Sequence, residues 1–154
     1  MIKILVSECL YGERIVRYDG KENRLDDPRF LQWKQEGRLV AVCPEVMGGL
    51  STPRTPSERR GGCVVNSNGH DVTNEYTKGA KLALAIAKRE NVSCVLFKLN
   101  SPSCGSKLIY DGSFTGNKIA GQGVAAELLR DNGYQVYGED DLDQIEKLIM
   151  ENER

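Results

Sequence analysis

Four short apolar runs, set between longer amphipathic stretches, limit the folds that this chain can adopt. They lie at residues 2–6, 39–42, 94–97 and 134–137. Each run is nearly continuous in its apolar residues, as in a strand that is buried on both faces. Such strands occur in parallel sheets that helices cover from two sides. The runs therefore predict the strands of a buried, mainly parallel sheet.

Helical stretches connect and follow these runs. They lie near residues 27–37, 74–90, 121–132 and 142–150. Strands that alternate with helices predict an α/β fold with right-handed crossovers. We therefore expect a single-domain, Rossmann-like open sheet over residues 1–154, with about four core strands in the order 2-1-3-4. Residues 47–62 are expected to be irregular, and an Asn-Gly turn predicts a small hairpin outside the sheet, formed by residues 63–65 and 71–73.

Composition restricts the class of protein. The formal net charge of the 154 residues is −1, so the molecule as a whole is not built to bind polyanions. The first apolar run is too short for a signal peptide, and no segment is long enough to span a membrane. A cytoplasmic protein is therefore expected, and the sequence implies no obligate protein partner. In that reducing compartment, five cysteines favour metal binding or catalysis over disulfides.

Three of the five cysteines follow predicted core strands. Cys9 follows the first strand and Cys43 the second, whereas Cys104 lies in the polar loop after the third, within residues 100–106. Ligands of open α/β sheets bind beyond the carboxyl ends of the strands. Because the three strand ends are neighbours in the expected order, we expect the three thiols to converge on one site.

The other candidate ligands fit different roles. Cys63 and Cys94 do not follow a core strand end and are interpreted as structural, and His70 lies in the hairpin turn as a solvated residue. A structural zinc ion normally takes four protein ligands, whereas three cysteines leave one iron of a [4Fe–4S] cluster open. A nucleophilic thiol and three buried small side chains are the remaining alternatives. The residue types alone leave these alternatives open.

Three ordered blocks of sequence resemble a known bacterial family. The first block reads Cys-Leu-Tyr-Gly from residue 9 and Val-Arg-Tyr-Asp-Gly from residue 16. The second block covers residues 42–54, and the third covers residues 98–106 and 110–114. The similarity runs from about residue 3 to residue 139. On these motifs the chain resembles the family that includes the thiouracil desulfidases.

This resemblance implies a [4Fe–4S] cluster bound by three cysteines, which correspond here to Cys9, Cys43 and Cys104. It further implies removal of sulfur from a thiolated pyrimidine such as 4-thiouracil, giving uracil and hydrogen sulfide without net electron transfer. The open iron would act as a Lewis acid for the leaving sulfur while water attacks the ring carbon. In longer relatives an added domain accompanies action on tRNA. The 154 residues show no such addition, so a free base or nucleoside is the expected substrate, and tRNA is less favoured.

Two other residues are candidates for the chemistry. Glu45, two residues after Cys43, is the best-placed general acid/base, and its alternative is a loop carboxylate paired with an arginine. Ser101 resembles a catalytic or substrate-positioning serine of the family, and its alternative is a turn hydroxyl before Pro102. Two competing functions also stay open, namely a non-catalytic metal- or sulfide-binding module and a zinc- or thiol-dependent hydrolase.

Overall fold

The computed structural model describes residues 1–153. The strands are β1 (Ile4–Ser7), β2 (Leu39–Val42), β3 (Ser57–Arg60), β4 (Cys63–Asn66), β5 (Cys94–Leu96), β6 (Leu108–Tyr110), β7 (Lys118–Ala120) and β8 (Val136–Tyr137). The helices are α1 (Glu8–Tyr11), α2 (Pro28–Gln35), α3 (Pro44–Met47), α4 (Thr73–Arg89), α5 (Val124–Asp131) and α6 (Leu142–Asn152). In these 153 residues no helix combines the length and the apolar character that crossing a membrane requires.

The central sheet has four parallel strands in the order β2-β1-β5-β8. This arrangement confirms the predicted order 2-1-3-4 of an open α/β sheet. In the register, Ser7 pairs with Val42 and Val6 pairs with Leu96. The carboxyl ends of β1, β2 and β5 therefore lie side by side at one edge of the sheet.

Alternate side chains of β1 belong to two apolar clusters, one on each face of the sheet. Leu5 packs in the cluster to which α4 and α5 contribute, whereas Ile4 and Val6 pack in the cluster to which α2 and α6 contribute. Cys94 is fully buried in the second cluster. Burial of the sheet on both faces explains why its strands are continuous apolar runs. That all 154 residues form one domain stays a prediction.

Two antiparallel hairpins lie outside the central sheet. The first joins β3 to β4 around Gly61, whose φ of 58° suits a tight turn. The structure thus places a strand in the region that the sequence indicated as irregular, and the Asn-Gly turn adds only one bridge, between Val65 and Asp71. The second hairpin, β6–β7, has strands of only three residues each, too short for the sequence pattern to have predicted it.

Candidate functional site

A cleft of ≈450 Å³ opens at the carboxyl ends of β1, β2 and β5. Its walls include all the residues that the sequence indicated for the site: Cys9, Cys43, Glu45, Ser101 and Cys104. The strand order is the reason for this convergence, because three neighbouring parallel strands deliver their following loops to the same edge.

Single helical turns carry the first two cysteines. The chain passes directly from β1 into α1, which contains Cys9, and from β2 through Cys43 into α3. Pro44 occupies the first position of α3, where a proline costs no helical hydrogen bond. Each thiol is therefore held within two residues of the rigid sheet.

Two glycines fix the place of α3 against α4. A Cβ atom on Gly79 would lie 1.8 Å from the carbonyl oxygen of Pro44, and one on Gly48 would lie 1.9 Å from the carbonyl oxygen of Glu75. No larger residue fits at either position without moving a backbone. The two glycines thus let the helix backbones touch, which fixes the position of α3 and of Cys43 directly before it.

Ser101 shapes the loop that carries Cys104. Its Oγ atom accepts hydrogen bonds from the backbone N–H groups of Ser103 at 3.2 Å and Cys104 at 3.1 Å. The Ser101 carbonyl also accepts the N–H of Gly105 at 2.8 Å. A serine that bonds the backbone two and three residues ahead closes a compact turn. Cys104 is consequently held at the cleft wall with 5% of its surface exposed.

The three thiols share a desolvated environment. Burial, together with the nearby Cys43, raises the pKa of Cys9 to about 12, and the Lys98 ammonium acts in the opposite direction. Burial also raises the pKa of Cys43 and the pKa of Cys104, while hydrogen bonds from the hydroxyls of Ser103 and Ser7 oppose the rise at Cys104. Protonated thiols are therefore the stable form until a metal replaces their protons.

A [4Fe–4S] cluster fits this donor set. Cys9, Cys43 and Cys104 are free cysteines, come from three neighbouring strand ends and influence one another electrostatically. Between residues 1 and 153, no three His, Cys, Asp or Glu side chains lie close enough together to hold a single metal ion. A four-iron cluster is larger than one ion, and cysteine thiolates are its usual ligands. The chemistry of these three donors, all of which line the cleft, thus fits such a cluster.

Glu45 is fixed by three neighbours. Its Oε1 accepts a hydrogen bond from Arg54 Nε at 2.9 Å, and its Oε2 accepts from Ser103 Oγ at 2.9 Å and lies 3.4 Å from Ser101 Oγ. The side chains of Arg54 and Glu45 are only 8% and 12% exposed. The arginine pairing considered as an alternative for Glu45 is therefore present, and the same carboxylate also lines the cleft.

Tyr76 is a cleft residue that the sequence did not reveal. It lies on α4, is 1% exposed and has its phenol close to Glu45 and Ser57. Burial and the charge of Glu45 raise the pKa of its phenol. In the sequence this tyrosine is one more buried-face position of an amphipathic helix, so no local pattern sets it apart. The sequence likewise did not single out Ser103, whose hydroxyl lies beside the Cys104 sulfur.

Comparisons with known proteins agree with this geometry. The sequence model of the 2-thiouracil desulfurase family matches residues 4–141. The uncharacterized protein YbbK of Bacillus subtilis (strain 168) is 45% identical, with 92% of this chain and 99% of YbbK covered. A solved structure of the [4Fe-4S]-dependent thiouracil desulfidase TudS superposes with a TM-score of 0.94 at 45% identity, covering 97% of this chain and 99% of that one. The chain therefore belongs to the 2-thiouracil desulfurase family.

Proposed function

We propose that this protein is a [4Fe–4S]-dependent desulfidase of thiolated pyrimidines such as 4-thiouracil. The observation that carries this proposal is the convergence of three cysteines, Glu45 and Ser101 on one cleft. The similarity to TudS, described as a [4Fe-4S]-dependent thiouracil desulfidase, supports the cofactor and the substrate class. Water would replace sulfur at the ring carbon, so that a thiocarbonyl and water give a carbonyl and hydrogen sulfide, with no electrons added or removed.

In this proposal Cys9, Cys43 and Cys104 hold the cluster, and one iron lacks a protein thiolate. When bound, the cluster supplies a Lewis acid that draws electron density from the thiocarbonyl sulfur of the substrate. Lys98 lies on the same cleft and opposes the negative charge of the Cys9 thiolate. The cationic side chain thus favours the thiolate form that a cluster needs.

Glu45 is the proposed general acid/base. Its Oε1 bonds to the Arg54 guanidinium, whereas Oε2 bonds to a neutral serine hydroxyl, so Oε2 is the atom proposed to accept the proton of the attacking water. Arg54 and Ser103 hold one carboxylate oxygen each, which fixes the plane of the group. A general acid/base must be positioned within hydrogen-bond reach of the proton that it moves, and general acid–base catalysis typically contributes about 10²–10⁴-fold in rate.

Ser101 acts as a hydrogen-bond donor in this scheme. A hydroxyl has two lone pairs and one proton, and two backbone N–H groups already bond to the Ser101 oxygen. The proton is donated to Ser103 Oγ at 3.0 Å in the structure, and rotation of the hydroxyl would turn it to a ring oxygen of the pyrimidine or to the attacking water. Ser101 is therefore suited to orienting these groups and poorly suited to acting as a nucleophile.

The substrate proposed for this cleft is a free base or a nucleoside. A volume of ≈450 Å³ lies within the range of small-molecule sites, whereas a tRNA would have to present an extruded nucleotide. We also propose that the protein works in the cytoplasm, where reducing conditions keep its thiols free.

Anaerobic reconstitution with iron and sulfide provides the test. The loaded protein is incubated with 4-thiouracil and, separately, with 2-thiouracil, while the thiocarbonyl absorbance, uracil and hydrogen sulfide are measured. We expect equimolar uracil and sulfide from at least one substrate and none from the metal-free protein. Turnover by zinc-loaded protein would favour a hydrolase. An intact cluster without turnover of either compound would favour a binding module.

A further inference from the structure

Ser103 contacts three groups of the site with one hydroxyl. Its Oγ atom lies 2.9 Å from Glu45 Oε2, 3.0 Å from Ser101 Oγ and 3.4 Å from Cys104 Sγ. The residue is only 1% exposed, so no water competes from bulk solvent. Among the residues that the structure describes, Ser103 is the one whose side chain contacts both the Glu45 carboxylate and the Cys104 sulfur.

Each serine hydroxyl has one proton, which restricts which of these groups can donate each hydrogen bond. Because the Ser101 oxygen already accepts two backbone N–H groups, Ser101 is the donor in its hydrogen bond with Ser103. Ser103 therefore keeps its own proton for either Glu45 or Cys104. The distance to the carboxylate is shorter, and hydrogen bonds to ionised oxygens are the stronger ones.

We propose that Ser103 is a positioning residue that couples Glu45 to the Cys104 sulfur, because its single proton serves only one of them at a time. With the carboxylate in place the proton points to Glu45. When that acceptor is lost, the proton turns to the sulfur. This proposal rests on the proposed function in one respect, namely that Cys104 is a cluster ligand.

The expected consequence is a change in the electron density of the cluster. Hydrogen bonds to ligand sulfurs are among the factors that set the reduction potential of iron–sulfur clusters. A hydroxyl that donates to Cys104 withdraws electron density from the sulfur and raises that potential. The strength of the cluster as a Lewis acid would thus depend on where the Ser103 proton points.

A cycle of four loaded proteins tests the coupling through the midpoint potential. They are the native chain, Glu45→Gln, Ser103→Ala and the double variant. The glutamine amide can donate to Ser103 Oγ, which frees the serine proton for Cys104. Loss of the Glu45 charge raises the midpoint potential whether residue 103 is serine or alanine. Any additional rise in the protein that retains Ser103 therefore measures the contribution of its hydroxyl. We expect the upward shift caused by Glu45→Gln to be clearly larger when Ser103 is present.

Matched variants distinguish an effect of the Ser103 hydroxyl from a general effect of altering its loop. Ser106 lies in the same loop, is 4% exposed, and its Oγ has no hydrogen-bond partner within residues 1–153. Ser106→Ala should therefore leave the response to Glu45→Gln at its native size. Should Ser103→Ala not load iron, Ser103→Gly removes the same hydroxyl with less volume, and Ser103→Thr retains it.

Equal shifts in the presence and absence of the Ser103 hydroxyl would overturn the proposal. The iron content of each variant is measured beside the potential, so that a change in loading is not mistaken for a change in coupling. The potentials need no substrate. A loaded protein that shows the coupling but fails to release sulfide from thiouracil would contradict the proposed function alone.

Discussion

Gly79 of α4 lies against the carbonyl oxygen of Pro44, and the two residues together hold α3 in place. Because α3 follows Cys43 directly and contains Glu45, this contact joins the longest helix to the site. The positions of the Cys43 thiol and the Glu45 carboxylate thus depend on Gly79, which has no side-chain functional group.

The Gly79→Ala variant should be less stable and should bind less iron. The new methyl group forces α3 away from α4, and overpacking of this kind costs about 1–3 kcal/mol. Urea unfolding of the metal-free chain measures the free energy of unfolding, and the iron content per chain after reconstitution measures how well the site binds iron. Gly62→Ala is the control, since no atom of the described residues lies within 4 Å of its added Cβ. A fully stable, fully loaded Gly79→Ala protein would show that the contact is unimportant.

Serine substitutions should divide the cysteines into two classes. Cys9→Ser, Cys43→Ser and Cys104→Ser each remove one thiolate, so the reconstituted chains should contain fewer than four irons and lose the broad thiolate-to-iron band near ~400 nm. Cys63→Ser should load normally, because Cys63 is exposed on β4, which lies outside the central sheet. Normal iron content in any of the first three variants would remove that residue from the ligand set.

The Arg54→Gln variant should impair both stability and turnover. It leaves the nearly buried Glu45 carboxylate without its ionic partner, and breaking a buried pair in this way costs on the order of 3 kcal/mol. Adding Glu45→Gln should recover part of that loss, since the unpaired charge is removed. Arg89→Gln is the matched control, because Arg89 is largely exposed and its pair with Glu90 contributes about 0–1 kcal/mol. Identical unfolding curves for Arg54→Gln and the native chain would contradict the ion pair.

The Glu153 carboxylate should make the stability of the protein depend on pH in the acid range. Hydrogen bonds from Arg38 and from the Ile2 N–H lower the pKa of Glu153 to about 2, from an ordinary value of 4.5. A depressed pKa means that its contribution is complete above about pH 4.5 and disappears as the pH falls toward about 2. We expect Glu153→Gln to lower the Tm by roughly 2–4 °C at pH 7, and the difference to shrink in acid.

The control for this pH dependence is Glu151→Gln. Glu151 pairs with Lys147 on an exposed helix face at 3.8 Å, so its removal should change the Tm little at any pH. A difference between Glu153→Gln and the native chain that persists unchanged below about pH 2 would contradict the assignment to the carboxylate.

The central sheet could be predicted because each of its strands is an apolar run that the local sequence shows. The apolar run at residues 94–97 and the amphipathic stretch at 74–90 are local patterns, and the rules for α/β connections convert them into an order of strands. The convergence of Cys9, Cys43 and Cys104 followed from that order together with their places after strands.

Other parts of the site depend on contacts between distant segments. Tyr76 reaches Glu45 only because Gly79 lets α4 approach α3, and neither residue shows this in its local sequence. The β6–β7 hairpin has strands of only three residues, so periodicity could not predict it. The Ser103 hydroxyl became notable only when its three neighbours were known.

The separation of the three cysteines along the chain determines when their site can come into existence. During synthesis Cys9 and Cys43 emerge long before Cys104, and β1 cannot lie between β2 and β5 until β5 has been made. If the three thiols hold a cluster as proposed, a complete ligand set exists only once Cys104 has been made. Iron and sulfide would then be delivered late in the formation of the fold, and the mouth of the cleft would be the route by which a donor reaches the thiols.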